Sequence, residues 1–243
     1  MIPKKMAPLR EGKSKILYST DTSDQIIQFF KDAATAFNAL KKGTIKNKGP
    51  INNKVSSSLF QYLEKHGIKT HFLKHISERE MLCKKVDIIP VEVVVRNRAA
   101  GSICKRLAIT KGEPFNPPLI EFFYKSDALG DPLISENHIF HFKWATPEEL
   151  ENMVNQSRKI NDLLIPVFDQ IGLELIDFKL EFGRDGQGEL LLADEFTADG
   201  CRLWDKKSGE PMDKDRFRQD LGGVDEAYHE VSTRLQNFFE ASL

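Results

Sequence analysis

The chain has 243 residues, of which 40% are hydrophobic and 29% charged, a composition that suits one large or two small globular domains and excludes disorder throughout. Its 35 basic and 36 acidic residues leave a net charge of −1, with no global basic surplus for a nucleic-acid or membrane partner. No apolar run reaches the ~18 residues of a membrane span, and the opening MIPKKMAPLREGK lacks the apolar stretch of a secretory signal, so a cytoplasmic protein is expected.

Along the chain, Lys15 to Ser19, Gln25 to Phe30 and Lys69 to Ile76 alternate with turn clusters and predict antiparallel strands. Val55, Leu59, Phe60 and Leu63 share one helical face ahead of Gly67, which predicts a helix from Val55 to His66. The run Lys41 to Lys54 reads as a basic loop; through Lys54 eleven basic residues stand against four acidic ones. Val91 to Arg96, after Pro90, reads as a central strand, and a lobe boundary is placed near Lys85. Thr146 to Glu149 is a capping box with proline at the first helical position, opening a long helix that Pro166 should kink and Gly172 should end. A hairpin from Leu175 to Phe196 follows, then a short helix capped by Asp213 and ending at Gly222-Gly223, then an amphipathic C-terminal helix.

The hairpin carries the most chemistry. In Leu175 to Phe182, Asp177, Lys179 and Glu181 share one strand face and Ile176, Phe178, Leu180 and Phe182 the other. Two registers are open: a four-residue loop sets Glu181 opposite Asp194, and a six-residue loop sets Asp177 opposite it. Facing carboxylates repel unless a cation lies between them, and hard oxygens suit Mg²⁺. A solvated face neutralised by Lys179 is the plain alternative. Near the N-terminus, Gly12 with Lys13 and Lys15 offers backbone amides and two ammonium groups to a phosphate, without Walker spacing. Arg96 to Ser102 ends a strand with two arginines and small residues, and Arg202, Lys206, Lys207, Lys214, Arg216 and Arg218 add cations suited to a multiply anionic substrate.

Cys83, Cys104 and Cys201 form no C-x-x-C pair and read as reduced thiols, and the pairs His71/His75 and His138/His141 lack a third ligand, so no zinc is expected. No nucleophile elbow is present.

Six ordered strings, REGKSKILY (10 to 18), GPINNKVSS (49 to 57), IPVEVVVRNRAAGS (89 to 102), LIDFKLEFG (175 to 183), ADEFTADGCRLWD (193 to 205) and MDKDRFRQDLGG (212 to 223), resemble those of the phosphoribosylaminoimidazole-succinocarboxamide synthase, or SAICAR synthetase, family. The resemblance spans about residues 9 to 240. It implies a two-lobed α+β fold distantly like the protein kinases, with a sheet-rich N-terminal lobe (1–85), an α/β C-terminal lobe (86–243) and an ATP cleft between them. The implied reaction joins L-aspartate to carboxyaminoimidazole ribonucleotide with ATP and Mg²⁺. By the same resemblance Lys13 and Lys15 lie under the ATP phosphates, Glu181 and Asp194 hold Mg²⁺, and Asp177 and Lys179 face the reacting carboxylate. Arg96, Ser102, Asp131, Arg202 and Arg218 bind the ribonucleotide, and no nucleic acid or membrane takes part. The family pattern is looser over Lys31 to Asn38, to which no role is assigned; a homo-oligomer is left open.

Two other classes share parts of this pattern. A kinase would use the same carboxylates and lysines but phosphorylate an alcohol without aspartate. A nucleic-acid-binding module would rest on Lys41 to Lys54 and bind with steep salt dependence.

Overall fold

The computed structural model describes residues 2–36 and 40–241; Phe37 and Asn38, within the unassigned segment, lie outside them. Among the described residues, three antiparallel sheets and six α-helices form a mixed α+β fold. The first sheet is built from β1 (Lys5–Glu11), β2 (Lys15–Thr20), β3 (Gln25–Phe30), β6 (Phe72–Ser77) and β7 (Glu80–Lys84), in the order β1-β2-β3-β7-β6. A short ribbon of β4 (Ala33–Ala36) and β5 (Lys41–Thr44) stands beside it.

The helix expected from Val55 begins earlier, as α1 (Lys48–Lys65), entered through a left-handed Asn47. Half of the presumed basic loop is therefore helix. Lys48 is 0% exposed there, because its ammonium donates to Asp199 Oδ2 at 2.6 Å. A lysine read as solvated charge is in fact a buried tie to a distant aspartate.

The second sheet runs β10 (Leu133–Ile134), β9 (Pro114–Tyr124), β8 (Asp87–Arg98), β11 (Leu173–Arg184) and β12 (Leu190–Ala193), with β13 (Cys201–Asp205) also pairing with β11. β8 and β11 lie side by side at its centre, and α4 (Pro147–Gln170) packs across both. The Thr146 hydroxyl accepts from Glu149 N at 3.2 Å while Glu149 Oε2 accepts from Thr146 N at 2.8 Å, which pairs two orphan amides of α4. α4 continues through Pro166 to Gln170.

The short helices α2 (Ser102–Leu107), α3 (Glu136–His141) and α5 (Asp215–Arg218) fill the loops, and α6 (Val224–Ala241) packs on α1. α5 ends at Arg218, short of the expected Gly222. The Asp213 carboxylate, which was expected to cap it, accepts from Asp215 N at 2.7 Å and also from Leu203 N at 2.8 Å. It thus braces β13 as well as the turn.

One hydrophobic cluster, from Phe30 and Phe60 through Val93 and Phe178 to Leu235, runs behind both large sheets. In front of it, the charged face of β11 and the Leu17, Ile26 and Gln28 face of the first sheet border one cleft. None of the described helices is long and apolar enough to cross a membrane.

Candidate active site

β11 sets the axis of the site. Ile176, Phe178, Leu180 and Phe182 are buried in the core, so Asp177, Lys179 and Glu181 are forced to the opposite face. At ~6.7 Å between alternate residues, these three side chains span about 13 Å. They line a cleft of about 530 Å³ whose other wall is formed by Leu17, Ile26 and Gln28 of the first sheet.

At one end of this axis lies a guanidinium cluster. Asp177, 3% exposed, lies opposite Arg96 in the β8–β11 register. Its Oδ2 accepts from Arg96 and from Arg202, each at 2.8 Å. Arg96 also donates to Glu121 at 2.6 Å, and Asp215 joins Arg202 at 2.8 Å to Arg218 at 2.5 Å. Burial opposes the charge of Arg202, but Asp177 and Asp215 outweigh it and hold its pKa above the usual value. Gly101, at φ 67, lets Arg202 lie against the main chain: a β-carbon there would sit 2.5 Å from a guanidinium nitrogen. Ser102 lies beside this cluster but outside the cleft lining, its hydroxyl accepting from Arg106 at 3.0 Å.

In the middle, Lys179 donates to Glu181 at 2.6 Å and to Glu92 at 2.9 Å, and Lys125 donates to Glu181 at 2.8 Å. Burial works against the Lys179 ammonium, yet Glu181 and Glu92 together raise its pKa well above the ordinary value. It is a fixed cation.

At the far end, Lys15 pairs with Asp194 and lies 3.5 Å from Glu195. Burial is again outweighed: Asp194 and Glu195 hold the Lys15 ammonium up, while Lys15, Lys179 and Lys125 hold the Asp194 carboxyl well below its usual range. Burial and the Asp194 charge push Glu195 the other way, and its Oε2 is buried without a partner. Lys13 donates to Asp127 at 2.6 Å across the cleft mouth. Asp131, in a left-handed conformation at φ 48, accepts from Ser126 N at 2.9 Å and also lines the cleft.

Neither expected hairpin register is adopted. Glu181 pairs with Ala193, one residue short of Asp194. The connection from Asp185 to Glu189 has five residues, closed by the Asp185 carboxylate accepting from the amides of Gln187 and Glu189, each at 2.9 Å. Asp194 then takes φ 64, which ends the ladder and swings its side chain toward Lys15. The carboxylate that does face Glu181 is Glu92, on β8, with Lys179 between them.

Glu92, Lys125, Glu195 and Asp199 also line the cleft, without having been singled out as site residues, and so does Lys214, one of the cations noted after the hairpin. Glu92 was visible as the one charge interrupting the apolar run of β8, and Glu195 and Asp199 fall inside a motif string. For Lys125 no sequence signal exists. Asp199 gathers Lys48, Asn52 at 3.0 Å and Tyr228 at 2.7 Å. Lys214 stands 3.8 Å from Asp199, its pKa lowered by burial.

Among the described residues no three metal-ligating side chains converge into a preformed cage. Glu181 and Asp194 nevertheless offer hard oxygens facing the cleft, which fits a Mg²⁺ ion that takes most of its ligands from phosphates and water.

Fixed cations facing fixed carboxylates along one strand, with guanidinium forks at one end and ammonium groups at the other, define an enzyme of multiply anionic, phosphorylated small molecules. A family model described as SAICAR synthetase matches residues 8–235. The chain belongs to that family. It is 54% identical over 232 residues to the phosphoribosylaminoimidazole-succinocarboxamide synthase of Persephonella marina, covering 96% of this chain and 97% of that one. The crystal structure of the Ehrlichia chaffeensis synthase superimposes with a TM-score of 0.93 at 49% identity, covering 95% of this chain and 98% of that one. A SAICAR synthetase solved in complex with ADP superimposes at 0.91 with 41% identity, covering 94% and 97%. The chain is accordingly a ligase of purine biosynthesis.

Proposed function

We propose that this enzyme joins L-aspartate to the carboxylate of carboxyaminoimidazole ribonucleotide by way of an acyl phosphate, with ATP lying in a cleft between two kinase-like lobes. The observation that carries this reading is the charged face of β11, which links the guanidinium end of the cleft to its ammonium end. Arg96, Arg202 and Arg218 suit the ribonucleotide anion, because planar forks match phosphate and carboxylate in bidentate geometry. Asp177 keeps two of those forks in place. Ser102, beside these forks, and Asp131, on the cleft lining, are assigned to the ribonucleotide as well, and Lys13 and Lys15 suit the phosphates of ATP.

A carboxylate is a poor acyl donor, so it must be activated. Its oxygen attacks the γ-phosphorus, the bond to ADP breaks, and the mixed anhydride forms. The aspartate amine then attacks the acyl carbon and expels phosphate, which carries away that oxygen. Lys179, half-buried and held charged by Glu181 and Glu92, faces the point where negative charge accumulates. Glu181 and Asp194 would hold Mg²⁺, which when bound neutralises the phosphates and aligns them for transfer. No protein nucleophile is needed.

Ribonucleotide labelled with ¹⁸O in its carboxylate tests the sequence of bonds. One labelled oxygen is expected in the released phosphate; phosphate free of label would rule out the acyl phosphate.

A further inference from the structure

Asp194 owes its direction to a backbone that most residues avoid. At φ 64 it stands one residue past the last β11–β12 pair, where no ladder bond fixes it. A residue in this region persists only where its surroundings over-determine it.

The surroundings that do so come from the first sheet. Gln28 lies on the face of β3 that also carries Ile26 and Phe30, both in the core. An amide at such a position is costly to bury unless it is paired. Its Nε2 donates to the Asp194 carbonyl at 3.3 Å. His71, packed edge-on to Phe60 at 5.5 Å, also lines the cleft. Its Nε2 has no hydrogen-bond partner. Gln28 and His71 are each only 2% exposed. Main-chain bonds reinforce them: Leu192 N donates to Lys69 O at 3.0 Å, and His71 N donates to Leu192 O at 2.8 Å.

We infer that Gln28 is a positioning residue: its amide, with the His71 main chain bonded to Leu192, holds the Asp194 backbone left-handed and so aims its carboxylate into the cleft. The inference rests on the reading of Asp194 as a Mg²⁺ ligand. It makes the metal site depend on the relative placement of the two sheets, although the carboxylates belong to the second sheet alone.

The test is the affinity of the enzyme–ADP complex for Mn²⁺, read by electron paramagnetic resonance, in Gln28→Met, Gln28→Leu and Asp194→Asn. Gln28→Met and Gln28→Leu, which both lack the donor, should each weaken Mn²⁺ about fivefold, the worth of one neutral hydrogen bond, and the KM for the ribonucleotide should not move. Should Gln28→Met fail to fold, Gln28→Leu decides the matter. Wild-type Mn²⁺ affinity in Gln28→Met together with weakened affinity in Asp194→Asn would overturn the positioning role alone. Unchanged affinity in Asp194→Asn would overturn the metal assignment, and the positioning role with it.

Discussion

Replacing Asp177 by asparagine separates a positioning role from a chemical one. The carboxylate lies between two guanidinium groups, Arg96 and Arg202, at 2.8 Å from each. Asparagine keeps its shape and removes its charge. Breaking a buried ion pair by deleting one partner costs about 3–5 kcal/mol. Arg96 retains Glu121 and Arg202 retains Asp215, so the lower end, about 3 kcal/mol, is expected. At roughly 2–4 °C per kcal/mol for a chain of this size, the melting temperature should fall by about 6–12 °C. The forks lose their shared anchor as well, so the KM for the ribonucleotide should rise about tenfold, equivalent to about 1.4 kcal/mol, while kcat changes little. Thermal unfolding and steady-state kinetics on the same preparation measure both. A collapse of kcat with unchanged KM and unchanged melting would refute this reasoning and place Asp177 at the reacting carboxylate.

Three further outcomes follow from the geometry. Lys179→Met should bind ATP and Mg²⁺ yet give no acyl transfer, since it removes a fixed cation between Glu92 and Glu181; a folded variant with near-normal turnover would make Lys179 structural. Arg202→Lys should raise the KM for the ribonucleotide and leave that for ATP unchanged, because the charge stays but the fork is lost; the reverse pattern would remove Arg202 from the substrate end. Burial pushes His71 down to about 4 in the folded protein, against its ordinary 6.5. Between those values the unfolded chain binds more protons, so stability rises with pH across the window and is lost as pH falls from about 6.5 toward 4. His71→Gln should flatten unfolding free energy against pH in that range, and an unaltered slope would assign the acid sensitivity to other groups.

The parts of the fold that were legible in sequence are those set by local rules. β2 and β3 appeared from alternation, α4 from its capping box and proline, and the charged face of β11 from period-two spacing. β9 escaped because Pro114, Pro117 and Pro118 disguise its first half as a loop. The early start of α1 escaped because Lys48, Asn52 and Asn53 are polar residues buried by partners far away in sequence, among them Asp199 and the carbonyls of Ser77 and Glu80. The hairpin register was misjudged for a related reason. Its loop is closed by side-chain bonds of Asp185, and Asp194 turns by its own backbone rather than by strand alternation. The site divides in the same way: residues inside contiguous motifs were visible, whereas Lys125, and Glu92 as the true neighbour of Glu181, became visible only when β8, β9 and β11 were laid side by side.

The central claim is a coupled ligation that consumes ATP only with both other substrates present. Phosphate release, followed continuously with ATP, Mg²⁺, carboxyaminoimidazole ribonucleotide and L-aspartate each omitted in turn, tests it most directly. Steady release is expected with the complete mixture alone, and full turnover without L-aspartate would contradict the account.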